Sequence, residues 1–348
     1  MVSTKHPRIL VTRTDRIGDV VLMTPLLRAV REKFPDAYIA ALVHPRARDV
    51  LLHNPRIDEL LVDEPEGEHA GRAGFWRQVR AMRKRRFDTA LLLLPTERLA
   101  WMLFAAGIPR RYGVGVKLYG VLTGMKSVRR TYEPLRHEAD YCLDFGRALG
   151  CTALNPAPEI FLADNEKHHA RRLLNGLGVV LPKDEWWVGI HPGSGHSAPN
   201  WRLEQYVALC ELLAREKQIR LLISGGTAEV ENARLFSHLF EAGAINLIGK
   251  LSVRELAAVI SLQRVFVSAS TGPMHIAAAL RVPTVALFCP EPNVSAKHWG
   301  PLGNDGTIVL PPSGFCGVRC SGDPHTCDFE GGIQPQDVAA AVLRVLGR

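Results

Sequence analysis

Residues 265–288 read VFVSASTGPMHIAAALRVPTVALF, and an apolar run there empties into hydroxyls and a glycine. Ser270, Thr271 and Gly272 stand where a strand ends and a helix begins, a place where backbone N–H groups and hydroxyls can receive a phosphate. Gly272 admits a ligand close to the backbone, and Pro273 suits a first helical turn because its missing N–H costs nothing there. His275 would point back from that turn toward the same ligand. Plain capping is the competing reading, with Ser270 or Thr271 as an N-cap and His275 as an ordinary surface histidine. Two further stretches weigh against it. HPGSGHSAPNW (191–201) follows an apolar run with Gly193, Ser194 and Gly195, then His196 and Ser197. ISGGTAEVEN (223–232) ends another in Gly225 and Gly226, and places Glu229 and Glu231 where a carboxylate can accept ribose or base hydrogen bonds. Three such endings in one half of the chain fit a nucleotide-diphosphate site better than three independent turns.

The first half has one comparable loop, TRTDRIGDVV (12–21). It is no dinucleotide fingerprint, because it holds one glycine where G-x-G-x-x-G needs three. It offers two carboxylates instead, Asp15 and Asp19, with Asp19 at the mouth of the first helix. An aspartate there is a common N-cap, and it is also placed to act as a general base. The two readings are compatible, since a capping carboxylate still faces the ligand side.

Such loops need a frame. In the first half, apolar strands are expected at 8–14, 37–43, 58–63 and 88–95, with helices at 19–34 and around 75–86. In the second, strands are expected at 186–193, 219–226, 244–249, 265–270 and 284–288, with helices at about 203–217, 229–240, 252–262 and 273–280. Near-continuous apolar strands spaced by helices indicate parallel sheets covered on both faces. Ligands in such sheets bind beyond the carboxyl ends of the strands, which is where all four loops fall.

The motifs TRTDRIGDVVLMTPLLRAVREKFPDAYIAALV, HPGSGHSAPNWRLEQYVALCELL, ISGGTAEVENA and STGPMHIAAALRVPTVALF together resemble glycosyltransferase family 9, the bacterial heptosyltransferases. The resemblance spans nearly the whole chain. It implies an α/β GT-B fold, two facing Rossmann-like, doubly wound parallel-sheet domains with an interdomain cleft. It also implies metal-independent, inverting transfer of heptose from an ADP-heptose donor to a lipopolysaccharide core acceptor, with no cofactor. Residues 1–160 would bind the acceptor, 161–183 would be a linker with a helix, and 184–333 would bind the donor. Residues 334–348 would form a helix crossing back to the first domain. Carried over by motif, Asp19 is the expected base, while Thr271, Gly272 and His275, with Ser270, form the donor diphosphate loop. Gly193 and Ser194 give its second phosphate contact, and Glu229 the ribose contact, with Glu231 as rival. Arg16, Arg110, Arg111, Arg129 and Arg130 are the expected acceptor contacts. Two departures stand out: Ser270 replaces a frequent acid, and Ala198-Pro199-Asn200 replaces a stretch that often carries lysine. Arg202 or Lys250 are candidates to supply the missing cation.

Bulk properties agree. Residues 1–150 carry 26 Lys and Arg against 17 Asp and Glu, and the remainder is close to neutral. The excess includes RKRR at 83–86, and it suits an anionic acceptor and the inner face of the bacterial inner membrane, where a cytoplasmic, peripheral protein is expected. No apolar run approaches a membrane span, no signal-peptide core is present, and the odd number of cysteines makes no secreted disulfide framework. A nucleic-acid partner is not expected, because no recognition helix or aromatic RNA-binding motif accompanies the basic half. A UDP-sugar epimerase-like enzyme of the same architecture is the enzymatic alternative. Cys316, Cys320, Cys327 and His325 could hold zinc, but C-x3-C-x6-C is not a standard knuckle and no metal is expected.

Overall fold

The computed structural model describes residues 6–177, 185–195, 198–316, 323 and 326–347. The chain divides into two compact units, Met1–Phe161 and Leu162–Arg348.

In the first unit, strands β1 (Arg8–Arg13), β2 (Tyr38–Val43), β3 (Glu59–Val62), β4 (Thr89–Leu92), β5 (Arg110–Val114) and β6 (Lys126–Val128) make one sheet in the order β3-β2-β1-β4-β5-β6. All its pairings are parallel. The strand sequences explain this, because Leu10, Leu42 and Leu92 are wholly buried and must be covered on both faces. Val79 and Met82 of helix α4 (Gly71–Arg85) and Leu99 and Leu103 of α5 (Glu97–Ala105) supply one cover.

The second unit repeats the winding. Strands β7 (Trp186–His191), β8 (Ile219–Gly225), β9 (Ile245–Ile248), β10 (Val265–Ala269), β11 (Thr284–Leu287) and β12 (Thr307–Val309) pair in the order β12-β11-β10-β7-β8-β9. In both units the order reverses beside the first strand, between β1 and β4 and between β7 and β10. Those are the switch points at which such sheets bind ligands.

Several elements differ from the sequence expectation. The helix expected over 19–34 is two helices, α1 (Ile17–Leu22) and α2 (Thr24–Lys33). Pro25 is the cause: it has no N–H for the Val21 carbonyl, which instead accepts from the Thr24 hydroxyl at 2.7 Å. The stretch after β8 is a 3₁₀ helix, Thr227–Phe236, followed by a short α-helix, Ser237–Glu241. Helix Asp164–Gly176, expected as a linker, packs Ala170 and Leu174 against Trp187, Leu222 and Leu247 and so belongs to the second unit. The last helix, Pro335–Val345, expected to cross back to the first domain, buries Val338, Ala341 and Val342 in the second unit's core.

Candidate active site

In the first unit, β1 ends at Arg13 and the chain turns through Thr14–Arg16 into α1. Register places Thr12 opposite Leu92 of β4, so this loop leaves the sheet at the switch point. Arg13 is only 5% exposed, and its guanidinium is spent entirely on partners. Its Nε donates to both oxygens of Asp15 at 2.9 and 3.0 Å, Nη2 donates to Asp19, and Nη1 donates to Glu138 at 2.9 Å. Glu138 opens helix α7 (Glu138–Ala148), is 1% exposed, and also accepts from Arg130. Burial pulls the Arg13 guanidinium down, but Asp15 and Asp19 lead the carboxylates that outweigh it and hold it well above its ordinary value. Burial pushes the Asp15 carboxyl up to about 6; Arg13 opposes that shift and Asp19 adds to it.

Asp19 is the third residue of α1 and not its N-cap, a position held by Arg16. The capping expectation therefore fails, because the helix begins two residues earlier than the sequence suggested. Asp19 remains in the first turn, partly exposed, with one oxygen gripped by Arg13.

In the second unit, register pairs His191 with Ser268 and Ile190 with Ile223. The loops after β7, β8 and β10 therefore leave the sheet side by side. The Glu229 carboxylate lies against the Cα of Gly193, so close that a Cβ there would collide with both oxygens. Glu229 also accepts from the Gly226 N–H at 2.6 Å, which closes the turn into the 3₁₀ helix. The 193 loop and the 225–229 loop are thus one assembly, and Glu229 joins them while Glu231 is exposed. Thr271 is buried at the N-cap of helix α12 (Gly272–Ala279), yet its hydroxyl makes no capping bond. It lies 3.5 Å from the Ser268 hydroxyl, and the first turn opens at the carboxyl edge of β10. His275 is buried on that turn, not at the surface.

The sequence pattern of glycosyltransferase family 9 (heptosyltransferase) matches residues 75–314. The chain belongs to this family. It is 27% identical to lipopolysaccharide heptosyltransferase 2 of Escherichia coli K12, over 90% of each chain. A family 9 glycosyl transferase from Veillonella parvula superposes with a TM-score of 0.84 at 22% identity, over 98% of this chain and 97% of that one. The E. coli ADP-heptose lipopolysaccharide heptosyltransferase II gives 0.78 at 22% identity, over 97% and 98%. The architecture is the two-domain GT-B fold, and the protein is a glycosyltransferase.

In this glycosyltransferase the expected acceptor arginines separate. Arg110 and Arg111 start β5, at the amino edge of the sheet, opposite the Asp19 edge. Arg110 pairs with Asp88 at 2.6 Å, and Arg111 donates to the carbonyls of Ile108 and Thr123. Arg129 and Arg130 follow β6 at the carboxyl edge; Arg129 is exposed, while Arg130 stacks on Tyr141 beside Glu138. Arg16 is exposed next to Asp15. The position that often carries lysine is used structurally, since Asn200 Nδ2 holds the Pro192 carbonyl at 2.6 Å. Neither substitute cation is uncommitted: Arg202 pairs with Asp328 and Glu330, and Lys250 donates to the Asn246 carbonyl.

Sequence reading passed over four residues. Arg13 and Glu138 organise the carboxylates, and their 125-residue separation hides the pair. His191 and Ser224 meet at 3.0 Å beneath the second unit's loops, and burial lowers the imidazole to about 4, which keeps it neutral near pH 7. The HPG triplet at a strand end was the available signal. Among the described residues no group of three or more His, Cys, Asp or Glu is placed to hold a metal; Cys320, His325, His196 and Ser197 lie outside them. No helix among the described residues is long and apolar enough to cross a membrane.

Proposed function

We propose that this chain transfers heptose from ADP-heptose to a lipopolysaccharide core acceptor, with inversion and without a metal ion, at the cytoplasmic face of the inner membrane. The observation that carries the reading is the grip of buried Arg13 on Asp19 at the switch point of the first unit. It fixes one carboxylate oxygen and leaves the other for an acceptor hydroxyl. Asp19 takes the hydroxyl proton as that oxygen attacks the anomeric carbon, and the bond to ADP breaks on the opposite side. A single displacement inverts the configuration. Arg16 and Arg129, both exposed, are the acceptor contacts this geometry favours, with Arg130 held to Glu138 beside them.

The donor belongs to the second unit. Gly193, Ser194, Ser270, Thr271 and Gly272 present backbone and hydroxyl groups to the diphosphate, with His275 behind them, and Glu229 stands at the ribose. The first turn of α12 stabilises the departing charge by about 0.3–2 kcal/mol, and its N–H bonds add more. Relatives named for ADP-heptose support this choice of donor.

The test is product analysis. Purified protein, ADP-heptose and a deacylated core oligosaccharide should yield ADP and a glycoside of inverted anomeric configuration by NMR, without added metal and with chelator present. Retention of configuration, or epimerisation of a UDP-sugar in place of transfer, contradicts the reading.

A further inference from the structure

Helix α6 (Leu118–Leu122) follows β5 and buries none of its residues. Val116, Leu118, Val121 and Leu122 are 80%, 76%, 63% and 59% exposed, the four most exposed large hydrophobic side chains among the described residues. Val116 and Val121 line a cavity of about 180 Å³ with Leu92, Pro95, Val114, Tyr119 and Met125, so the core does not fill the space beneath this face. Along the chain the charge has one sign, and across the fold Glu97 is the acid that acts on Tyr119. Residues 110–132 contain six Lys and Arg and no Asp or Glu. Arg110, Arg111 and Arg130 are committed within the fold, while Lys117, Lys126 and Arg129 are exposed. An apolar face flanked along the chain by exposed cations has the chemistry of an interfacial anchor on an anionic bilayer.

Strand direction decides between this surface and the basic run at 83–86. That run ends α4 at the amino edge of the sheet, where Arg85 pairs with Glu59 at the start of β3 and Arg83 donates to the Ala105 carbonyl. The 116–122 segment leaves β5 at the carboxyl edge with Asp19 and runs back along the sheet to Thr123, whose carbonyl Arg111 holds near the start of β5. The two edges are separated by the strand length, roughly 15 Å for five residues.

We infer that residues 116–122, with Lys117, Lys126 and Arg129, dock the protein on an anionic lipid surface. Docking there reaches the Asp19 edge through Val116 and Leu118, where a lipid-linked acceptor would enter, whereas a bilayer held at 83–86 alone would lie at the opposite one. The inference rests on the membrane-borne acceptor proposed above.

Vesicle sedimentation tests it with the full chain. Binding to phosphatidylglycerol-containing vesicles should exceed binding to phosphatidylcholine vesicles and weaken with salt. Leu118→Asp with Leu122→Asp should reduce it at least ~10-fold, since two leucines lose their apolar burial. The melting temperature and transfer to a soluble, deacylated acceptor should stay as in the wild type. Lys84→Gln with Arg86→Gln should change binding much less than the leucine variant does, because it leaves the apolar face intact. Wild-type binding by the leucine variant, or equal loss in the 84/86 variant, overturns the docking surface. So does loss of soluble-acceptor transfer in the leucine variant, which would make this an acceptor-sugar site. A wild-type dimer that the leucine variant abolishes, without vesicle binding, would make it a contact between copies. Asp19→Asn should bind vesicles normally, so failure of the base and failure of the dock are read separately.

Discussion

The switch point of the first unit is lined by charge, and that of the second by glycine, hydroxyl and backbone. Both sheets wind in the same order, and both present loops at the carboxyl edge of the first and fourth strands. In the first unit Arg13 and Arg130 share three carboxylates, all held by one another. In the second, Thr271 makes no capping bond to its helix turn and Gly193 admits a carboxylate against its Cα. Identical topology thus carries two chemistries. A network satisfied from within holds Asp19 in one geometry, whereas the second edge presents glycines, hydroxyls and a helix N-terminus of the kind that suits an anion.

If that contrast holds, mutations at the first edge should change stability and mutations at the second should change binding. Glu138→Gln is the most severe case. Glutamine offers one acceptor oxygen where two guanidinium groups donate, and turns its own N–H donors toward one of them. Breaking a buried charge pair in this way costs about 3–5 kcal/mol, to be read from denaturant unfolding. A loss below 1 kcal/mol would show that the network is not what holds Arg13.

A smaller effect should come from Asp15. Its folded carboxyl titrates near 6, above its unfolded value, so the folded state favours the protonated form. The stability this gives is full below about pH 4 and is lost as pH rises through about 6. Melting temperatures of wild type and Asp15→Asn should therefore agree in acid, and wild type should fall behind by roughly 1–3 kcal/mol above pH 6. Parallel profiles would remove Asp15 from the buried network.

Much of this was legible in the sequence where burial is two-sided. The apolar strands β1, β2, β4, β7, β10 and β11 were visible because both faces are covered. By contrast, RRYGV of β5, KSV of β6 and TIV of β12 gave no apolar run, because they are short or charged, whereas the edge strands β3 and β9 kept one. The loops proposed for the donor stood out by their glycines and hydroxyls, which act locally. The Asp19 loop was legible only in part. Its carboxylates were visible, but Arg13 resembles any strand-end arginine until Glu138 arrives from α7.

The most direct test sets the two edges against each other in one calorimetric and kinetic comparison. Asp19→Asn keeps an oxygen for Arg13 and should leave ADP affinity within about 2-fold, while transfer to a verified acceptor falls by at least ~100-fold, as expected for loss of a positioned base. Thr271→Val with His275→Ala should weaken ADP binding about 10-fold, the loss of roughly one hydrogen bond to a charged group. Near-native turnover in Asp19→Asn, or undiminished ADP affinity in the double variant, would contradict the division of labour between the two switch points.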